Sequence, residues 1–147
     1  MSYSLIKCWP HAVWTTKNCG FLIQPSIEQV VFKEIESQFR SEKCHVKIIN
    51  GMPDHVHSLF MSNPRRSISD ILKTVKGCSS HIFNGDEIFP GKFAWQKGSA
   101  AFSVSESQLE KVYRYISNQN IHNLSKTLQQ EIDELYIVHG NLFTFNS

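Results

Sequence analysis

Residues 45–61 hold two strand-like runs on either side of Asn50-Gly51, and a helical pattern flanks them at each end. Asn-Gly between such runs is the strongest short-range signal for a β-hairpin, because both residues accept the left-handed backbone of a tight turn. The first run is His45–Ile49, with Val46 and Ile48 on one side, and the second is Met52–Met61. Upstream, Pro25 and Ser26 open a helix to about Glu42, with Ile27, Val31, Ile35 and Phe39 at four-residue steps and Phe32 beside them. Downstream, Asn63-Pro64 ends the strand and Ser67 caps a helix from Ile68 to about Phe83. Its buried stripe reads Ile68, Ile71, Leu72, Val75 and Cys78, opposite Ser69, Lys73, Lys76 and Ser80.

A lone hairpin is marginal in water and needs further strands. Leu5–Thr16 supplies one, read as an edge or bulged strand because Pro10 cannot donate to a ladder. Asn18-Cys19-Gly20 is the turn that follows it. Gly91–Val104 supplies a short strand pair or one bent strand. Ser105 or Ser107 starts a third helix to about Asn120, Ser107 and Glu110 standing at capping-box spacing. A last amphipathic helix covers roughly Leu124–Val138 and ends at His139-Gly140. The order fits an α+β chain: a ferredoxin-like antiparallel sheet with helices packed mainly on one face. At 147 residues, 1–147 reads as a single domain with one sizeable core.

Net charge is only +2, too little to argue for nucleic acid by itself. Its distribution says more: Arg65, Arg66, Lys73 and Lys76 face only Asp70 between residues 65 and 81. Such a basic loop and helix suit phosphate, and equally suit an ordinary solvated face. The four cysteines form no CxxC pair and read as free thiols, which points to a reducing cytoplasm. MSYSLIK has no signal-peptide pattern, and no apolar run approaches a membrane span.

His55-Val56-His57 is the sharpest chemical feature. Alternate strand residues share a face, so both imidazoles project together and could form two legs of a metal site. Two surface or hydrogen-bonded histidines would leave the same pattern. Asp54 could orient one imidazole from outside the ligand set, or simply lead a turn after Pro53. In the helix after Ser107, spacing of about 100° per residue clusters Leu109, Val112, Tyr113 and Ile116 as the packing stripe. Tyr113 is then the core tyrosine. Tyr115, Gln119 and His122 share a flank roughly 110° away, which makes Tyr115 the exposed or cleft-lining one. An ion or phosphate held by the Gln119 amide oxygen would lie near that phenol.

PDHVHSL, the helix SISDILKTVKGCSS, and FAWQKGSAAFSVSESQLEKVYRYISNQNIH together resemble the IS200/IS605-type single-domain tyrosine transposases and their repeat-associated relatives. These are HUH enzymes of the Y1 type. The likeness runs from AVWTTKN, at Ala12–Asn18, to the closing helix and Gly140. It implies that His55 and His57 bind a divalent cation, Mg²⁺ or Mn²⁺, with Gln119 as third protein ligand and Tyr115 as the nucleophile. It further implies a metal-dependent endonuclease and strand transferase for single-stranded, hairpin-containing DNA, working through a 5′-phosphotyrosine during transposition. Family members pair as homodimers, often with the tyrosine helix serving the partner's histidines in trans. Arg65, Arg66, Lys73, Lys76 and His122 are the candidate DNA contacts.

Two departures stand out. Ser99 follows Gly98 where the family commonly has Tyr, and Asn123 follows His122 where many relatives have a second histidine. The rival readings are a domesticated or inactive relative that binds or processes hairpin DNA, and an RNA-binding module on a similar sheet. No RNP-type aromatic strand motif supports the second.

Overall fold

The computed structural model describes residues 5–119 and 128–138. The elements run β1 (Trp9–Thr15), α1 (Glu28–Ser41), β2 (His45–Met52), β3 (His55–Met61), α2 (Ile68–Gly85), β4 (Ala100–Val104), α3 (Leu109–Ser117) and α4 (Leu128–Val138). All strand pairs are antiparallel and the order across the sheet is β2-β3-β1-β4. This is the ferredoxin-like α+β arrangement expected from the sequence.

The two long helices share one face of the sheet. Trp14, Val56 and Phe60 pack there against Val31, Ile35 and Phe39 of α1 and Ile71, Val75 and Phe83 of α2. Phe39 lies over Phe60 with ring centroids 4.4 Å apart; truncating either ring to Ala would cost about 3–5 kcal/mol. Ser67 caps α2 by accepting from the Asp70 amide at 3.0 Å. Cys78 is exposed, not part of the stripe. Ser79 is buried in its stead, where its hydroxyl accepts from Trp95 Nε1 at 3.0 Å.

β1 is central, not an edge: β3 pairs on one side and β4 on the other. Pro10 is tolerated because the β1–β3 pairing begins one residue later, at His11↔Leu59. Two residues before it, the Cys8 carbonyl takes the Ser62 amide at 2.9 Å. The hairpin turn also lies further along than Asn50-Gly51. Those two residues pair with His57 and Val56, and Pro53-Asp54 make the connection. Gly51 is needed for a different reason: a Cβ there would stand 2.3 Å from the His55 carbonyl oxygen. The register shift between Val46 and Ile48 separates two residues expected on one side. Val46 packs with the main core, while Ile48 joins the cluster on the opposite face.

That opposite face is smaller. Leu59 and Val104 of the sheet meet Val112 and Ile116 of α3, with Tyr115 packed alongside. A 3-10 turn at Glu106–Gln108 precedes α3, so Ser107 lies inside that turn and caps nothing. The expected capping box is not formed. Only Ala100–Val104 of the Gly91–Val104 run is regular strand, although Trp95 bridges to Thr16. All four cysteines are free. Among the described residues no helix is long and apolar enough to cross a membrane.

Candidate metal centre and nucleophile

Residues opposite each other across antiparallel strands share a face. Val13 stands opposite His57 and Thr15 opposite His55, so both histidines project on the side covered by α3. His11, two residues before Val13, projects there too. The pairing of Asn50 with His57 continues this face into β2.

Both imidazoles are buried, and both direct Nε2 toward Glu131 of α4. His57 Nε2 lies 2.5 Å from Oε1 and His55 Nε2 lies 2.7 Å from Oε2. The one candidate ligand atom offered by each of His55, His57 and Glu131 lies within 4.8 Å of the other two. His55 Nε2 makes no hydrogen bond of proper geometry despite that proximity. A buried imidazole nitrogen aimed at a carboxylate, beside a second imidazole, suits a mixed nitrogen and oxygen site for a divalent cation. The residues present therefore fit such an ion.

Each histidine is held from behind. His55 Nδ1 sits 2.6 Å from Asp54 Oδ1, and His57 Nδ1 sits 2.9 Å from His11 Nε2. The two differ in charge. Burial opposes the protonated form of His55, but the Asp54 and Glu131 carboxylates outweigh it and push the imidazole up to about 9. His57 is fully enclosed, and burial holds it below its ordinary value. Burial alone would raise Glu131; its two histidine partners outweigh that and bring it down to about 2.

Tyr115 is half-buried and faces the same centre. Its ring centroid is 5.8 Å from that of His57 and 6.3 Å from that of His11. Burial raises the phenol well above its ordinary value, with Gln119 working against the shift and Glu131 and Glu134 adding to it. Tyr113, expected in the core, is 36% exposed, with Lys47 Nζ 5.9 Å from its ring. The helix buries Val112 and Ile116, with Tyr115 packed alongside them where Tyr113 was expected. Gln119 is buried, and its amide nitrogen lies 3.5 Å from the Tyr115 carbonyl.

The basic residues divide. Lys76 donates to the carbonyls of Gln96 at 2.8 Å and Gly98 at 2.7 Å and to the Ser99 hydroxyl at 3.3 Å. Arg66 pairs with Glu42 at 2.9 Å and Thr74 at 3.1 Å. Arg65 and Lys73 are exposed. Lys73 borders an open cleft of about 920 Å³ between α2 and residues 94–101. His122 lies outside the described residues.

Sequence reasoning missed Glu131 and His11. Glu131 lies 74 residues from His57 in the chain, so no local spacing links the two. His11 carried one available signal, its period-two spacing from Val13 and Thr15 on the first strand.

The family described as "Transposase IS200 like" matches residues 4–119. The ISDra2 transposase TnpA of Deinococcus radiodurans is 31% identical over 119 residues, covering 75% of this chain and 82% of that one. A transposase structure from the same organism aligns with TM-score 0.62 at 24% identity, covering 81% of this chain and 95% of its own. The structure of a REP-associated tyrosine transposase bound to a REP hairpin aligns with TM-score 0.57 at 13% identity, covering 99% and 94%. Those two likenesses speak to the fold. The family match and the 31% identity place this chain in the IS200-like transposases.

Proposed function

We infer that the chain is a metal-dependent endonuclease and strand transferase that cuts single-stranded DNA with Tyr115 during transposition. The observation that carries this reading is the convergence of His55, His57 and Glu131 on one buried point with the Tyr115 ring packed against His57. Chemistry of this kind needs a nucleophile beside a place where negative charge can be stabilised.

Tyr115 Oη would attack phosphorus in line, forming the tyrosyl ester as the P–O3′ bond breaks and the 3′-oxygen leaves as a hydroxyl. The product is a 5′-phosphotyrosine. A second 3′-OH reverses the step and joins the strands in a new arrangement, with the bond's energy kept in the ester. A divalent cation, Mg²⁺ or Mn²⁺, held by the two histidines and a third donor would draw charge from the scissile phosphate and offset the burial that keeps Tyr115 neutral. Glu131 faces both imidazoles from the third donor position. Gln119, assigned by family resemblance, sits one turn from Tyr115 and is proposed to serve once DNA is bound.

Hairpin-containing single strands are the proposed substrate, supported by the hairpin named with one structural neighbour. Arg65 and Lys73 are free to meet phosphate; Arg66 and Lys76 work mainly inside the fold. A homodimer and a cytoplasmic setting complete the proposal. The domesticated, non-cutting alternative has no use for an intact ligand set.

The test is covalent capture. Incubated with a cognate hairpin strand and Mn²⁺, the protein should retain a DNA fragment that peptide mapping places on Tyr115. Tyr115→Phe should abolish the adduct, and Tyr113→Phe should leave it intact. An adduct on another residue would overturn the assignment.

A further inference from the structure

We propose that His11 is the positioning residue that turns His57 into a usable cation ligand, by accepting a hydrogen bond from its Nδ1–H and fixing the plane of its ring. This rests on the cation reading above.

A neutral imidazole carries one proton on two nitrogens. His57 presents Nε2 to the centre, so as a ligand it must offer a lone pair there. Its proton must then sit on Nδ1, which is buried and needs an acceptor. His11 Nε2 stands 2.9 Å away in that direction. Asp54 serves His55 in the same way at 2.6 Å. Each ligand therefore has its own partner, one from the hairpin turn and one from the neighbouring strand.

The geometry is built into the sheet. His11 is fully buried on β1, and its ring is 5.2 Å from that of His57 at an interplanar angle of 33°. Phe102 and Tyr115 flank it at 6.2 and 6.3 Å, which limits rotation about χ2. The pairing of His11 with Leu59 and of Val13 with His57 sets the lateral offset that lets the two rings meet. A carboxylate in place of His11 would add a second buried negative charge beside Glu131. A neutral imidazole accepts the hydrogen bond without one.

The experiment uses the full-length protein and His11→Phe, which preserves a flat ring but removes the acceptor, together with His11→Gln, which restores an acceptor oxygen. Titration with Mn²⁺ alone, followed by calorimetry, should show binding weakened about 10–100-fold in His11→Phe. His11→Gln should recover most of that loss. Long-range ¹H–¹⁵N spectra of the Mg²⁺-loaded wild type should show the His57 proton on Nδ1. Wild-type affinity in His11→Phe, equal weakening in both variants, or a His57 proton on Nε2 in the loaded wild type would each overturn the proposal. Where His11→Phe does not fold, His11→Ala carries the same titration, and wild-type Mn²⁺ affinity there overturns the proposal. A wild type that binds no Mn²⁺ would instead sink the cation reading itself.

Discussion

Asn50 Nδ2 donates to the carbonyl oxygen of Ile116 at 2.9 Å, and lies 3.3 Å from that of Ser117. The final carbonyls of a helix have no partner within it. Asn50 satisfies two of them from the strand position paired with His57. The helix that carries Tyr115 is thereby tied to the hairpin that carries the two histidines proposed to hold the cation.

Asn50→Ala should therefore cost more in catalysis than in stability. Loss of the hydrogen bonds is worth about 1 kcal/mol. Freeing the end of α3 lets Tyr115 drift from the reacting phosphorus, where small misplacements cost on the order of 10²-fold in rate. Single-turnover cleavage should fall by about that factor while Mn²⁺ affinity and the Tyr115 adduct site stay the same. An unchanged cleavage rate would show that packing of Val112 and Ile116 alone positions the helix.

The basic segment gives a second expectation. Arg65→Gln with Lys73→Gln should lower the slope of log affinity against log salt by about one to two units for single-stranded DNA, since each phosphate contact releases about 0.7 counterion. The melting temperature should hold. Lys76→Gln should act differently, because it removes three contacts to residues 96–99 and loosens that segment. A salt slope unmoved by the first pair would make this charge a solvated face.

The fold was legible in the sequence wherever period and punctuation agreed. The stripe Val31, Ile35 and Phe39 and the Ser67 cap left little choice of helix, and HVH in a strand put two imidazoles on one face. Errors arose where a local rule met a long-range one. Asn50-Gly51 has the chemistry of a turn, yet Gly51 is required by the close approach of the His55 carbonyl, and Asn50 is occupied by α3. Pro10 forbids a ladder bond, but the β1–β3 pairing starts after it. Tyr115 faces the centre as its flank position implies, but Tyr113 is exposed and not in the core, because a nine-residue helix is oriented by what its ends touch and not only by its apolar sector. Glu131 was hidden because no local pattern links α4 to β3.

Proton and cation compete at the centre, which sets a pH dependence. His55 is raised from 6.5 to about 9, so its contribution to folding is complete below pH 6.5 and is lost as pH rises through about 9. Glu131 is lowered from 4.5 to about 2, so its contribution is complete above pH 4.5 and is lost as pH falls through about 2. His57 is held below 6.5 by burial, so it costs stability as pH falls below that value. The metal-free protein should therefore be most stable at roughly pH 6–7. Cation binding must displace the His55 proton, so Mn²⁺ affinity should rise about tenfold per pH unit up to that pKa. Calorimetry in buffers of different ionisation enthalpy measures the protons released; a count of zero at neutral pH would contradict the charged His55.

Tyr115 packs against the histidines of its own chain. If the homodimer forms with this arrangement, mixing Tyr115→Phe chains with His57→Ala chains should yield no active site, because neither chain is complete. Recovery of cleavage on mixing, toward a quarter to a half of wild-type activity, would show that α3 serves the partner's histidines. Light scattering on the same samples reports whether the mixed dimer exists.

The third ligand separates Glu131 from Gln119. The Glu131 carboxylate touches both imidazoles, at 2.5 and 2.7 Å, while Gln119 directs its amide nitrogen toward the Tyr115 carbonyl. Charged oxygen donors hold hard divalent cations better than amide oxygens do. Glu131→Gln should therefore weaken Mn²⁺ binding without DNA by at least about tenfold, equivalent to about 1.4 kcal/mol. Gln119→Ala should leave that binding within about twofold and reduce cleavage instead, since its expected work begins with the substrate in place. Glu131→Gln also has a second signature: with one less buried negative charge, the His55 proton should be lost at lower pH. The opposite pattern, with Gln119→Ala abolishing Mn²⁺ binding and Glu131→Gln leaving it intact, would return the third place to Gln119 and reduce Glu131 to a counterion for His55 in the metal-free protein.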